Sequence, residues 1–260
     1  MNGVFLQGGG AKGAFQAGAV YAMYEKGINM NVLSGTSIGA VNGYYIYRDS
    51  IENMRKYYTE VDLIKTIREI KVSNTVPNDF IIDELQGLSK KNPHVKCFFV
   101  NYDKVENKEL KENVVDIVRV KKEEALKCIK YSSLLPYVCP QGVNEVTFDR
   151  ALECYNPEEL SIKFSEKLQG GHYDGFSLDG GMLNNNFMEP FVTNKVDRLY
   201  LIVLHNNFEI PKYLLDSYDR SQIILIERKE LFKVNDTLNY SKEFLTQLFK
   251  EGYEAGKRIL

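Results

Sequence analysis

The chain has no tryptophan and only three histidines and four cysteines in 260 residues, and each scarcity removes a class of protein. Cys97, Cys128, Cys139 and Cys154 have neither CxxC nor metal-ligand spacing, and four thiols in a chain this long do not demand a disulfide framework. No sequence cluster of His, Cys and carboxylates points to a metal centre, so neither a metal nor a cofactor is expected. No apolar run is long enough for a bilayer-spanning helix, and polar positions interrupt the N-terminal region too early for a signal peptide. Positive charge is not in surplus either: 33 Lys and Arg stand against 35 Asp and Glu, a net charge of −2. With no basic stripe interleaved with aromatics, nucleic acid is excluded as a general partner, and attraction to anionic membranes is weak. Repeats and low-complexity tracts are absent. What remains is ordinary globular composition, 44% apolar and 26% charged. The expectation is one cytoplasmic domain over residues 1–260, with at most peripheral membrane contact.

Glycine is unevenly placed. Gly8-Gly9-Gly10-Ala11-Lys12-Gly13 precedes Gly35-Thr36-Ser37-Ile38-Gly39, in which a serine is held between glycines. A serine hydroxyl that attacks an ester carbonyl must stand clear of its own backbone, on a tight strand-to-helix turn that only small neighbours such as Gly35 and Gly39 tolerate. The attack makes an oxyanion, which backbone N–H groups stabilise only where no side chain blocks them; Gly8, Gly9 and Gly10 can supply such groups. Val4-Phe5-Leu6 reads as a buried strand, and Ala14 to Met23 reads as a helix that ends at Lys26-Gly27. Asn31-Val32-Leu33 and Ile38 to Tyr47 repeat the plan. Both turns should therefore lie at the carboxyl edge of one parallel sheet, each at a helix N-terminus that favours negative charge.

The same glycines allow other readings. A GxGxxG after a strand also describes a dinucleotide site, but that site wants an acid at the end of the second strand, where this chain has Leu33-Ser34-Gly35; Glu25 lies in the first helix. A P-loop wants its lysine after the last glycine, followed by Ser or Thr, and Lys12 precedes Gly13. Purely structural turns would explain either cluster alone, though not a serine at the centre of the second.

Further along stand Asp179-Gly180-Gly181 and the sequel Met182-Leu183-Asn184-Asn185-Asn186, with Pro190 beyond. With these three ordered motifs the chain resembles the patatin-like phospholipase family. Similar echoes are Lys96 to Asn101 for its central strand, Tyr131-Ser132-Ser133-Leu134-Leu135-Pro136 for its Ser-rich helix end, and Gly252-Tyr253 to Leu260 for its closing helix. The resemblance implies a three-layer α/β/α fold with a central, mostly parallel sheet. It also implies a serine acyl hydrolase of phospholipase A or lysophospholipase type, which acts on phospholipid or lysophospholipid without a metal. Carried onto matching positions, Ser37 is the nucleophile, Asp179 the general base, and Gly8, Gly9 and Gly10 the oxyanion hole; Lys12, Gly13, Gly35, Gly39, Gly180 and Gly181 support the motifs. An exposed aspartate, with a pKa of about 3.9, is a weak base for a hydroxyl, so Asp179 should be partly desolvated.

Three rivals stay open at this point. Asp174-Gly175 is a second Asp-Gly pair, read as a turn. His205 ends the apolar run Leu199 to Leu204, and the order Ser37, Asp179, His205 is that of a hydrolase triad. A catalytically silent domain that serves as a lipid-binding or interaction module would keep the same fold.

Between the motifs, residues 51 to 75 read as helical with Val61, Leu63, Ile64, Ile67 and Ile70 as the buried stripe, and Phe80 to Leu88 reads as a helix. A strand at 96–102 should pair with 114–120 across a turn-rich Asp103 to Asn113, and Lys121 to Ser133 reads as a helix. Residues 150–177 are a candidate flap over the site. Strands at 198–204 and 222–227 lead to a last helix at about 240–259.

Overall fold

The computed structural model describes residues 1–259. Leu260, the expected end of the closing helix, lies outside the described residues. The chain runs β1 (Asn2–Leu6), α1 (Gly13–Glu25), β2 (Val32–Gly35), α2 (Ile38–Tyr47), α3 (Ile51–Thr59), α4 (Leu63–Ile67), β3 (Lys71–Val72), α5 (Asp79–Gln86), β4 (Cys97–Glu106), β5 (Glu109–Asp116) and α6 (Lys122–Ser132). It continues with β6 (Val146–Thr147), α7 (Phe148–Glu153), α8 (Pro157–Gln169), β7 (Ser177–Asp179), α9 (Gly181–Asn184), α10 (Pro190–Thr193), β8 (Arg198–Ile202), α11 (Lys212–Leu215), β9 (Ile223–Ile226) and α12 (Lys242–Ile259).

The main sheet has the order β5-β4-β2-β1-β8-β9, with β7 paired to β4. The four pairings from β4 to β9 are parallel, whereas β5 and β7 both run antiparallel to β4. Successive strand side chains point to opposite faces, and here each face is buried in its own core. Val4, Leu6, Tyr200 and Ile202 join one core with α1, α2 and α12. Phe5, Leu199 and Leu201 join the other with Phe191 and Leu214, from α10 and α11. The three-layer α/β/α arrangement follows from that double burial.

Helices α1 and α12 interlock through glycines. A Cβ on Gly18 would stand 1.9 Å from Phe249 O, and one on Gly252 would stand 1.9 Å from Phe15 O. The two backbones approach to a distance that no side chain permits.

Several sequence expectations are corrected. Residues 51–75 are not one helix: α3 and α4 are separate, and β3 follows with β6 as its partner. Val61 falls in the break and is 40% exposed, so it does not join the buried stripe. The stretch from Asp103 to Asn113 is not turn-rich. β4 runs on to Glu106, Asn107 and Lys108 make a tight turn at positive φ (54° and 66°), and β5 returns from Glu109 to Asp116, not 114–120. That hairpin was hidden because β5 is an edge strand of mostly polar residues, none of them fully buried. Residues 150–177 do not form a flap. Phe164 and Leu168 pack with Val105, Tyr173 and Leu178 in a small core of their own, and no residue of the stretch lines the cavity beside Ser37.

Because the added methyl would strike backbone, Gly252→Ala should destabilise the protein by about 1–3 kcal/mol in urea unfolding. An unchanged midpoint would mean that α1 and α12 can separate freely.

Candidate active site

Ser37 sits between β2 and α2 with φ 56° and ψ −125°, in the left-handed range that a non-glycine residue adopts only when its surroundings hold it there. Two contacts do so. The Ser37 N–H donates to Ser132 Oγ at the end of α6 (2.9 Å), and Thr36 Oγ1 donates to Asn101 Oδ1 on β4 (2.7 Å). Gly39 lets α2 begin directly over β1, since a Cβ there would meet Leu6 O at 1.9 Å.

Asp179 is the last residue of β7. Its register partner is Tyr102, while β2 ends at Gly35 opposite Val100. The ends of β2 and β7 are thus two residues apart along β4, about 7 Å at the usual strand rise. Residues 142 positions apart in sequence meet there: Ser37 Oγ donates to Asp179 Oδ2 at 2.5 Å. The second oxygen, Oδ1, accepts from Gly181 N at 2.8 Å. Asp179 is 6% exposed. Burial pushes its carboxyl up to about 6, against the pull of the Ser37 and Gly181 hydrogen bonds.

Asn101 ties the two turns together. Its Nδ2 donates to Asn184 O at 3.0 Å and to Glu112 Oε1 at 2.9 Å, while its Oδ1 holds Thr36. Two positions on, Asp103 is wholly buried. Its Oδ2 accepts from Leu183 N on α9 (3.1 Å), and its Oδ1 has no partner among the described residues. Burial, then the charges of Asp179 and Glu112, push Asp103 up to about 7 against the Leu183 hydrogen bond.

The glycine turn lies opposite. Gly8 N–H is taken by Asn185 Oδ1 at 2.8 Å, so it is not free for a ligand. The N–H groups of Gly9 and Gly10 have no acceptor among the described residues. Gly10 has φ +57°, and a Cβ there would strike Thr237 O at 2.2 Å. Lys12 is 8% exposed; its Nζ donates to Leu204 O (3.2 Å) and lies over the Phe232 ring. Burial lowers its ammonium from the ordinary range, with Asp236 pulling the other way.

His205 bonds to neither Ser37 nor Asp179; its Nε2 lies 2.9 Å from Asn185 Nδ2. Asp174 is remote from the pair: it accepts from Lys108 N in a turn against the β4–β5 hairpin. A cavity of about 240 Å³ opens beside Ser37 and Asp179. Ile38, Val41, Phe80, Ile81, Leu135 and Phe148 give it apolar walls, with Gly8 to Gly10, Lys12 and His205 at another side. Among the described residues no group of three or more His, Cys, Asp or Glu could hold a metal ion, and no helix is long and apolar enough to cross a membrane.

A family model described as Patatin-like phospholipase matches residues 4–192. The chain belongs to the patatin-like phospholipase family. A 48-residue stretch is 48% identical to lysophospholipase nte1 of Aspergillus terreus (strain NIH 2624 / FGSC A1156), which covers 18% of this chain and 3% of that protein. Two solved structures share the fold. VipD from Legionella pneumophila has a TM-score of 0.52 at 11% identity, over 99% of this chain and 66% of that one. The type III effector protein ExoU, from Pseudomonas aeruginosa, has a TM-score of 0.51 at 12% identity, over 98% of this chain and 52% of that one. The chain therefore spans a small fraction of the curated relative and about half to two-thirds of these two solved chains.

Sequence reasoning missed Asn101 and Asp103 as parts of the site. The signal was available: in a buried strand, two polar residues at i and i+2 share a face and need partners. Asp103 and Asp179 both hold protons more tightly in the folded chain than at ~3.9 in the unfolded one. Their contribution to stability is therefore full at low pH and declines as pH rises from about 4 through about 7. Asp103→Asn should raise the urea midpoint more at about pH 8 than at about pH 5. A larger gain at the lower pH would refute the assignment.

Proposed function

We propose that this chain is a serine acyl hydrolase acting on lipid esters of the phospholipid or lysophospholipid class. Ser37 would be its nucleophile and Asp179 its general base. The observation that carries the reading is the 2.5 Å Ser37–Asp179 hydrogen bond on the wall of an apolar cavity that Gly9 and Gly10 also line, their N–H groups having no acceptor among the described residues.

The chemistry follows from those groups. A lipid acyl chain lies against Ile38, Phe80 and Phe148, which places the ester carbonyl over Ser37. Asp179, ionised above about pH 6, takes the hydroxyl proton as Oγ attacks the carbonyl carbon. The tetrahedral oxygen becomes negative and is met by Gly9 N–H and Gly10 N–H, with the N-terminus of α2 adding its dipole. Protonated Asp179 then gives its proton to the departing alcohol oxygen, leaving an acyl ester on Ser37. Water enters, loses a proton to Asp179 and attacks the acyl carbon; collapse releases the fatty acid and returns the proton to Ser37. Burial suits Asp179 to this exchange, since a base near the working pH both accepts and returns a proton readily.

The direct Ser37–Asp179 contact favours a dyad over a triad, because His205 is spent on Asn185. Peripheral contact with a lipid surface would bring the substrate to the cavity mouth.

The test is hydrolysis of a panel of lipid esters together with covalent labelling by a fluorophosphonate. Wild type should label, and Ser37→Ala should neither label nor hydrolyse. Asp179→Asn should lose about 10²–10⁴ in kcat. For wild type, kcat/KM should fall about tenfold per pH unit as pH drops below about 6. A folded wild type that does not label would favour a silent lipid-binding module instead.

A further inference from the structure

Three residues make a chain of contacts behind the oxyanion turn that the acyl-transfer steps do not use. The Gly8 N–H can only donate, so the Asn185 atom 2.8 Å from it must be Oδ1. The Nδ2 of the same amide then faces Gly8 O at 3.3 Å and His205 Nε2 at 2.9 Å. An NH₂ group only donates, and both must accept. The amide orientation and the histidine tautomer are thereby fixed by what their partners require: His205 must be neutral, with Nε2 bare and its proton on Nδ1.

A second side chain anchors the same turn. Gln7 Oε1 accepts from Leu204 N (2.6 Å) and His205 N (2.9 Å), and its Nε2 donates to Asn186 Oδ1 (2.7 Å). The turn is therefore stitched to the end of β8 on one side and to the segment after Asp179 on the other. If His205 presented a proton at Nε2, N–H would oppose NH₂. Turning the amide over would relieve that clash but set Nδ2 against the Gly8 N–H.

We propose that His205 is a positioning residue: its neutral Nε2 orients the Asn185 amide, which grips Gly8 by N–H and C=O and so aims the Gly9 and Gly10 N–H groups at the oxyanion. This rests on the reading of Ser37 as nucleophile. The charged groups around the imidazole suit the neutral form. Lys12 comes from the oxyanion turn, with Asp236 opposite it, and Glu227, Arg228 and Lys229 share a surface hollow with His205 after β9. Desolvation by its neighbours, then the Lys12 ammonium, draw the imidazole below its usual range.

The experiment has a kinetic arm and a spectroscopic arm on the full chain. With a soluble p-nitrophenyl ester, His205→Ala should lower kcat about tenfold or more with little change in KM, since it loosens oxyanion donors and not the acyl cavity. His205→Gln, whose Oε1 can accept the same bond, should regain most of that loss, and His205→Lys should be worse than alanine. By ¹⁵N NMR the wild-type imidazole should be the Nδ1–H tautomer, and Asn185→Ala should shift it toward Nε2–H. An Nε2–H tautomer in wild type would overturn the proposal, as would a glutamine variant no better than alanine or an alanine variant with wild-type kcat. The two readings fail separately: an active Ser37→Ala protein would overturn the nucleophile assignment, while the tautomer still reports on the brace.

Discussion

Hydrogen bonding along β4 is the constraint on which the site depends. Over Cys97 to Val100 this strand pairs in parallel with β2, and over Tyr102 to Lys104 it pairs antiparallel with β7. One strand thus serves as a ruler for two others that arrive from opposite directions and stop almost end to end. Asp179 ends β7 and Ser37 follows two residues after β2, so both are set by the ladder of β4 and not by long loops, which suits a pair that must meet within hydrogen-bond distance. Asn101, in the gap between the two pairings, closes the arrangement by bonding to both turns.

Electrostatics then divides the work among buried polar groups. Two carboxyls, Asp103 and Asp179, are both raised by burial, and the charge of Asp179 raises Asp103 further. Asp179 has its oxygens partnered by Ser37 and Gly181, whereas one Asp103 oxygen has no partner among the described residues. Together with the positive φ of Ser37, these are local departures from a stable interior, gathered where the chemistry would be. The interlocked α1 and α12 and the two cores on either side of the sheet supply the rigidity that keeps them in place.

Much of this architecture was legible in the sequence because it rests on short-range rules. The strand, glycine turn and helix at Val4 to Met23, and again at Val32 to Tyr47, have continuous apolar, buried runs and glycine where backbone passes close to backbone. Less legible were elements whose signal is made elsewhere. The β4–β5 hairpin has a polar edge strand, so no apolar alternation marks it. The break between α3 and α4 carries no strong breaker residue, and Val61 looked like part of a continuous stripe. Residues 150–177 gave mixed signals because Phe164 and Leu168 pack against Val105 and Leu178, which are distant in sequence or in another element.

By itself, the sequence determined which residues could do the chemistry. A serine between glycines, a glycine run and a lone Asp-Gly-Gly are local patterns set by steric room and by donor and acceptor type. Only the tertiary structure decided which of them meet and which are already engaged. It joined Asp179 to Ser37 and left His205 on Asn185, and it engaged the Gly8 N–H while those of Gly9 and Gly10 have no acceptor among the described residues. The physical reason is that a hydrogen bond depends on distance and direction. For residues 142 positions apart, those are set by sheet order and register, which no local pattern contains.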